Sequence, residues 1–262
     1  MSPNPNQNFY KSDDGYREQI EKVLKRKTEA SEITLDDEKI VRSFLAELRA
    51  TRGISDVRAA KLVSNITGLR RWTPPFREMT TPDVYQAIDA IHRHGFKQNS
   101  EADVVRALKR ICTYLCENDL NAPGLDFKKV QKIRPPGYNS ATKDHDDLLT
   151  PDEVMKLITC AGSVKHQAII STLYEGGMRI GEIGHLQWNQ VKFHETHVAI
   201  STDFKTGKKR TIPLYNSMGY LKQWKNESSG NPGDFVFVMS GGKPYSYPGL
   251  VKMIRTAAKK AG

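Results

Sequence analysis

The sequence predicts a mostly α-helical chain with a small β-sheet, divided into a helical domain and a following α+β domain. Apolar residues recur at helical spacing in several segments between residues 34 and 122. Residues 123–147 are rich in proline and have no sustained period, which is typical of a linker. After that stretch, two helical patterns precede an alternating pattern that indicates a β-hairpin. A length of 262 residues accommodates two domains.

The first domain, residues 34–122, is predicted to be a compact bundle of four amphipathic helices. One signal is a capping box, in which Thr34 caps a helix with Asp37 three residues on. Residues that favour helix N-termini mark all four starts: Thr34, Ser55, Thr81 and Ser100. Residues 1–33 ahead of the bundle are predicted to form a polar tail followed by a weak helix. The second domain is expected to cover residues 148–262.

Charge makes nucleic acid the first partner to test. Forty Lys and Arg against 30 Asp and Glu give a formal net charge of +10, which attracts polyanions. A soluble basic protein without such a partner is the alternative. Cys112 and Cys116, one helical turn apart, favour helix packing over metal ligation, because no second Cys or His pair stands at zinc-site spacing. The N-terminus has no secretory pattern and no apolar run approaches a membrane span, so we expect a cytoplasmic protein without membrane contact.

The second domain opens with a predicted capping box at Thr150 and continues with a helix from about residue 165 to 174. Gly176 and Gly177 then permit a tight turn, so Arg179 is expected at a helix start, where backbone N–H groups favour anions. A guanidinium there can clamp two oxygens of a phosphate. Glu182, three residues on, is placed to hold Arg179 by an ion pair. An ion pair without a function is the alternative.

The alternating pattern of residues 198–214 predicts a hairpin with a turn at Thr206-Gly207. Its period of two places Lys205 opposite the apolar face. Three further cations follow at once: Lys208, Lys209 and Arg210. Such a density suits a phosphodiester backbone, although lysines also protect edge strands from aggregation, and the two interpretations have equal weight. The charge runs at residues 70–71 and 128–132 are weaker candidates for DNA contact.

Three segments in this order and spacing resemble one family: "LLTPDEVMKLI", "STLYEGGMRIGEIGHLQWNQV" and "FKTGKKRTIPL". They are similar to the first part of the catalytic domain of the tyrosine recombinases, the phage-integrase and Xer-like family. The bundle resembles that family's core-binding domain. The resemblance implies that Arg179 holds the scissile phosphate, that Glu182 supports this region, and that Lys205 protonates the departing 5′-oxygen or stabilises its charge.

The resemblance also implies an activity and its partners. The activity is site-specific cutting and rejoining of double-stranded DNA through a 3′-phosphotyrosine, without a metal, a cofactor or a small-molecule substrate. A complete protein would act as a homo-oligomer on DNA.

One departure from the family pattern limits this expectation. The family continues with a His-x-x-Arg box, a further His or Trp, and the nucleophilic tyrosine, whereas no histidine follows His197 here. Tyr245 and Tyr247 match a loop before a structural helix and are not expected to replace the nucleophile. We therefore expect a C-terminally incomplete catalytic domain that binds DNA without cleaving it. A non-enzymatic DNA-binding remnant or regulator, and a type IB topoisomerase, remain as alternatives.

Overall fold

The computed structural model describes residues 9, 12–139, 147–202, 210–228, 230–239 and 241–262. It divides into two compact units, one formed by residues 13–142 and the other by residues 1–12 with 143–262. The described residues are mostly helical and include one three-stranded antiparallel sheet, which confirms the predicted fold class.

The unit of residues 13–142 is a helical bundle. Its helices pack around an apolar core that includes Phe76 and Leu108, each inaccessible to solvent. Burial of this apolar surface is the main force that holds the helices together. The helices are α1 (Asp13–Glu29), α2 (Leu35–Arg52), α3 (Asp56–Gly68), α4 (Thr81–Arg93), α5 (Gln98–Glu117) and α6 (Phe127–Gln131).

The predicted starts of the bundle helices agree with the structure to within two residues. Thr34 caps α2 in the expected capping box with Asp37. The cap of α4 is Thr80 instead of Thr81, because the Asp83 carboxylate accepts the backbone N–H of Thr80. Helix α5 begins at Gln98, two residues before Ser100. Such shifts arise because neighbouring polar residues compete for one cap position.

Residues 13–33 differ from the weak helix predicted outside the bundle. Ile20 and Leu24 of α1 are buried in the bundle core, and Ile33 follows them there. The sequence underestimates this helix because its three apolar positions stand among many charges. Tertiary packing, and not intrinsic propensity, supplies most of a helix's stability.

Much of the predicted linker, residues 123–147, also lies in the bundle. Leu125, Val130 and Ile133 are buried in its core. Side chains of α5 then hold the following backbone, since Lys109 donates to the carbonyl of Ile133 at 2.9 Å and Arg106 to that of Pro136 at 3.1 Å. The rest of the linker, residues 140–146, lies outside the described residues.

The described part of the second unit contains five α-helices and a small sheet. Its helices are α7 (Pro151–Thr159), α8 (Val164–Gly176), α9 (Ile180–His185), α10 (Met218–Glu227) and α11 (Tyr247–Ala261). The sheet has the order β1 (Val191–Phe193), β2 (Val198–Thr202) and β3 (Arg210–Leu214). The predicted hairpin strands are β2 and β3, and Thr202 pairs with Arg210. Strand β1 has only three residues, too few for a periodic signal.

Phe9 of the N-terminal tail lies in the core of the second unit. Phe9, expected in a polar tail, is 3% exposed and contacts the rings of His185 and Tyr247. Its carbonyl accepts the backbone N–H of Tyr247 at 2.9 Å. The ring of Phe9 fills the space beside Gly184, where an added Cβ would stand 2.0 Å from it. Two adjacent aromatic residues, Phe9 and Tyr10, among polar ones give no periodic signal, so the sequence did not indicate this contact.

The structure also bears on the membrane and metal expectations. Across the part of the chain that the structure describes, no helix is both long and apolar enough to cross a bilayer. The same residues contain no group of three or more His, Cys, Asp or Glu side chains able to hold a metal ion. Cys112, which is fully buried, packs in the bundle core as predicted.

Candidate nucleic-acid interface

A tight turn between α8 and α9 presents Arg179. Helix α8 ends at Gly176 and is capped by Gly177, whose φ of 52° lies in the left-handed region that glycine adopts without strain. Met178 turns inward and is buried. Arg179 then takes an extended conformation as the N-cap of α9, and its side chain is 52% exposed. The predicted placement of Arg179 at a helix start is confirmed.

The buried carboxylate of Glu182 forms ion pairs with two arginines. Its carboxylate accepts the backbone N–H of Arg179 at 2.7 Å and the Nη1 of Arg179 at 3.2 Å. It also accepts the Nη2 of Arg210, the first residue of β3, at 2.7 Å. The predicted ion pair between Arg179 and Glu182 is therefore present, and the sequence did not indicate the second pair. Because Glu182 is only 3% exposed, these partners are needed to offset the cost of burying its charge.

The arrangement leaves both arginines facing solvent. Arg179 is 52% and Arg210 44% exposed, whereas their shared partner is buried. Two cations on one carboxylate carry a net charge of +1, and each guanidinium has five N–H donors. The N–H groups not directed at Glu182 can donate to an anion such as a phosphate, with the guanidinium orientation already fixed. This group of Arg179, Glu182 and Arg210 is named the arginine pair site.

The structure describes only part of the predicted cationic hairpin. Arg210 lies in the arginine pair site. Lys205, Lys208 and Lys209 lie outside the described residues, so their predicted roles stay predictions.

The bundle carries a second basic surface, a groove of about 420 Å³, named the bundle groove. The guanidinium of Arg106 lies 3.9 Å from the ring centre of Tyr138 and donates through Nη2 to Pro136, while its Nη1 has no hydrogen-bond partner among the described residues. Helix periodicity could have indicated part of this surface, since Arg106 and Arg110 stand four residues apart on α5. The polar lining includes Arg52, Arg58, Lys61, Asn65, Asp103, Arg106, Arg110 and Tyr138.

One weaker candidate for DNA contact has a structural role instead. The side chain of Arg70 is 14% exposed, its Nε donates to Asp37 at 2.8 Å, and its Nη1 donates to the carbonyl of Thr73. Its Nε and Nη1 are used within the bundle, which favours a structural role over the suggested contact with DNA. Arg71 and the lysines of segment 128–132 are exposed.

The two tyrosines near the end of the chain differ in exposure. Tyr245 is buried, its hydroxyl lies 3.0 Å from Nε2 of His166, and burial raises the pKa of that hydroxyl. Tyr247 is 42% exposed at the start of α11. A raised pKa makes a phenol a poorer nucleophile at neutral pH, which agrees with the expectation that Tyr245 is structural.

Parts of the chain are similar to known proteins. Residues 147–262 match the phage integrase family. The tyrosine recombinase XerA of Pyrococcus horikoshii is 27% identical over 154 residues, which cover 57% of this chain and 50% of that protein. The tyrosine recombinase XerC of Psychromonas ingrahamii is 22% identical over 197 residues, 71% of this chain and 62% of the relative. The chain thus spans half to less than two thirds of the length of these relatives.

A solved structure shares the fold. The crystal structure of the lambda integrase, residues 75–356, bound to DNA has a TM-score of 0.60 at 17% identity and covers 85% of this chain and 78% of that chain. The architecture is that of the integrase-type recombinases. Residues 147–262 match the phage integrase family, and the chain is similar in sequence to tyrosine recombinases.

Proposed function

We propose that this chain is the DNA-gripping part of a site-specific recombinase that cuts and rejoins duplex DNA through a 3′-phosphotyrosine. The observation that carries the proposal is the arginine pair site, in which a buried carboxylate orients two exposed guanidiniums. Its partner is double-stranded DNA, as in the lambda integrase structure that shares its fold. Neither a small-molecule substrate nor a cofactor enters the proposal, because the energy of the cut bond is kept in the phosphotyrosine.

The proposed roles follow from the charge that develops in phosphoryl transfer. A tyrosine oxygen attacks phosphorus, the bond to the 5′-oxygen breaks, and negative charge grows on the equatorial oxygens and the leaving oxygen. Arg179 is proposed to bind the equatorial oxygens of the scissile phosphate, with Glu182 fixing its orientation. Lys205 is proposed to give its proton to the 5′-oxygen or to stabilise its charge. Preorganised cations lower such a barrier because they need no reorganisation during the reaction.

We further propose that the polypeptide of these 262 residues binds DNA and does not cleave it by itself. No His-x-x-Arg sequence follows the hairpin within them. Loss of one such charge-stabilising group costs about 10²–10³ in rate in other enzymes. On DNA, several copies of the complete protein are proposed to assemble.

The bundle groove is proposed to provide the second grip on DNA. Arg52, Arg58 and Arg110 line it together with Arg106, and duplex DNA offers one phosphate charge per about 1.7 Å of its axis. Contacts to phosphate carry no sequence information themselves, so they would set affinity and register. Lys208, Lys209 and Arg210 of the hairpin are proposed to act in the same way.

The first experiment measures binding to a duplex between 50 and 200 mM salt. We expect the dissociation constant to rise by about 10³-fold or more, as for proteins with six or more phosphate contacts. Arg52→Ala with Arg110→Ala should flatten the salt dependence, whereas Glu227→Gln, an exposed position on α10, should not. A response to salt that is flat in the parent polypeptide would contradict DNA binding through phosphates.

The second experiment uses a suicide DNA substrate with the 262-residue polypeptide and with a version extended at its C-terminus by a His-x-x-Arg and tyrosine segment from a relative. We expect covalent capture of DNA only by the extended version. Arg179→Ala and Lys205→Ala should each abolish this capture while the protein remains folded. Unchanged capture in both variants would overturn the assigned roles.

A non-enzymatic DNA-binding remnant or regulator of a related recombinase is the second candidate. Such a protein would occupy recombination sites or assemble with an intact relative. Inhibition of an intact relative by the 262-residue polypeptide, with no strand exchange of its own, would favour this candidate. Relaxation of supercoiled DNA without site-specific joining would instead indicate a type IB topoisomerase.

A further inference from the structure

A carboxylate outside the arginine pair site attaches strand β3 to helix α8. Glu175 is the second-last residue of α8. Its Oε1 accepts the backbone N–H groups of Tyr215 at 2.7 Å and Asn216 at 2.9 Å. Its Oε2 accepts the backbone N–H of Ser217 at 2.7 Å and the Ser217 hydroxyl at 2.6 Å. Three consecutive amides of the turn between β3 and α10 thus converge on one carboxylate.

The hydrogen bonds require an ionised Glu175. Burial raises the pKa of Glu175, but the hydrogen bonds from Ser217, Asn216 and Tyr215 outweigh it and hold the pKa below its ordinary value. Ser217 is inaccessible to solvent, so its hydroxyl has no water to replace this partner. Hydrogen bonds to an ionised acceptor are stronger than neutral ones. At neutral pH the turn is therefore closed around a negative charge.

Strand β3 is consequently attached at both ends to the segment that carries Arg179. At its first residue, Arg210 donates to Glu182 at 2.7 Å. Immediately after its last residue, the turn donates to Glu175. Glu175 stands four residues before Arg179, and Glu182 stands three residues after it. A slip of β3 by one residue would reverse the direction of every side chain on it, and these two attachments oppose such a slip.

We propose that Glu175 is a positioning residue, which sets the place of Arg210 relative to Arg179 by holding the turn after β3. The inference rests on the proposed function, because this placement matters only if Arg179 and Arg210 contact one DNA backbone. Glu175 itself touches no DNA.

The first test compares two variants that each remove one negative charge, Glu175→Gln and Glu227→Gln. Loss of a negative charge alone tightens binding to DNA or leaves it unchanged, and this is expected for Glu227, which is exposed on α10. In Glu175→Gln the side-chain amide brings its own N–H donors toward the backbone donors, so the turn opens. We expect its dissociation constant for a short duplex at 0.1 M salt to rise about tenfold, the value of one lost phosphate contact.

A second experiment, in a protein that already lacks two of the cations, distinguishes a positioning role of Glu175 from a role in stability alone. If Glu175 acts through the hairpin and Arg210, the effect of Glu175→Gln on affinity disappears in a protein that already carries Lys205→Ala and Arg210→Ala. A contribution to the folded state alone would persist there. Hydrogen exchange provides the structural check, because the amides of residues 215–217 should exchange faster in Glu175→Gln while those of α8 keep their protection.

The outcomes distinguish the inference from the proposed function. A parent polypeptide that does not bind duplex DNA overturns both. A parent that binds, together with a Glu175→Gln variant that binds like Glu227→Gln, overturns only the positioning role. An affinity loss that persists in the Lys205→Ala, Arg210→Ala background also overturns that role.

Discussion

Two buried carboxylates, Asp37 in the bundle and Glu182 in the second unit, occupy the same local position with different results. Each is the third residue of its helix and accepts the backbone N–H of the N-cap residue, at 3.0 Å and 2.7 Å respectively. Each also pairs with arginine. The arginine on Asp37 is 14% exposed, whereas the two on Glu182 are 52% and 44% exposed.

The difference shows that the surroundings of an arginine, and not its position near a helix start, decide its use. Asp37 also accepts the backbone N–H of Phe76 at 2.8 Å, and Arg70 donates onward to the carbonyl of Thr73. All these groups join segments of the bundle, so the arrangement is closed and contributes to stability. The arrangement around Glu182 is open because its arginines keep donors toward solvent.

The largest effect is expected at the closed carboxylate. Asp37→Ala should lower the free energy of unfolding by about 3–5 kcal/mol, because it leaves the largely buried Arg70 without its counter-charge. Chemical denaturation measures this loss. The matched control is Asp36→Ala, one residue away, whose ion pair with Arg77 is about half exposed and should contribute less than about 1 kcal/mol. Equal losses in the two variants would remove the distinction between closed and exposed pairs.

A smaller effect is expected behind the open carboxylate, where Phe9 packs against Gly184 of α9. Gly184→Ala should destabilise the second unit by about 2 kcal/mol, because the new Cβ would stand 2.0 Å from the ring of Phe9. Thermal unfolding measures the loss. With Phe9→Ala in the background, Gly184→Ala should become neutral or stabilising, since alanine favours a helix over glycine. A full loss in that background would show that Phe9 does not fill this space.

The third prediction compares the effects of removing Arg179 and Arg70 on DNA affinity and on stability. Arg179→Ala should weaken duplex binding about tenfold, which corresponds to about 1.4 kcal/mol, and change stability by less than about 1 kcal/mol. Arg70→Ala should cost stability and leave the affinity of the folded protein unchanged. Binding assays and denaturation on the same preparations check both. Reduced affinity in the folded Arg70→Ala protein would restore the idea that Arg70 contacts DNA.

The comparison of the two carboxylates also shows which features of these sites could be predicted from the sequence. The capping boxes at Thr34 and Thr150, the placement of Arg179 and its ion pair with Glu182 were predictable, because each depends on residues within four positions of one another. The ion pairs of Arg210 with Glu182 and of Arg70 with Asp37 were not predictable, because the partners stand 28 and 33 residues apart in the chain. Tertiary packing decides which of two similar arginines is enclosed.

Packing also explains the segments that the sequence placed outside the domains. Phe9 and residues 125–133 carry too few apolar residues to show a period, yet they complete cores that larger elements leave open. The sequence indicated the cationic hairpin by charge density alone. The arginine pair site shows one end of that hairpin at Arg210, so the predicted role of Lys205 remains to be measured.

The smallest effect is expected from His166, a partly buried side chain of the second unit that is neutral at pH 7. His166 lies between the carbonyl of Ala161 at 3.2 Å and the hydroxyl of Tyr245 at 3.0 Å. Burial lowers the pKa of His166, the nearby cations Lys165 and Lys260 lower it further, and the hydrogen bond to Ala161 opposes them. Its neutral form thus accepts the Tyr245 hydroxyl if Nδ1 carries the proton that Ala161 accepts.

The sign of the pH dependence follows from that lowered pKa. The contribution of His166 is fully present above the ordinary histidine pKa, about 6.5, and is lost as pH falls through the lower value of the folded state. We expect the stability of the second unit to fall as the pH drops below about 6.5, and we expect His166→Gln to make this fall less steep. His194→Gln, at an exposed position of the same unit, should retain it. If the stability of His166→Gln falls with pH as steeply as that of the parent, groups other than His166 cause the loss of stability. The arrangement around Glu182 would then be the one tested difference between the second unit and the bundle.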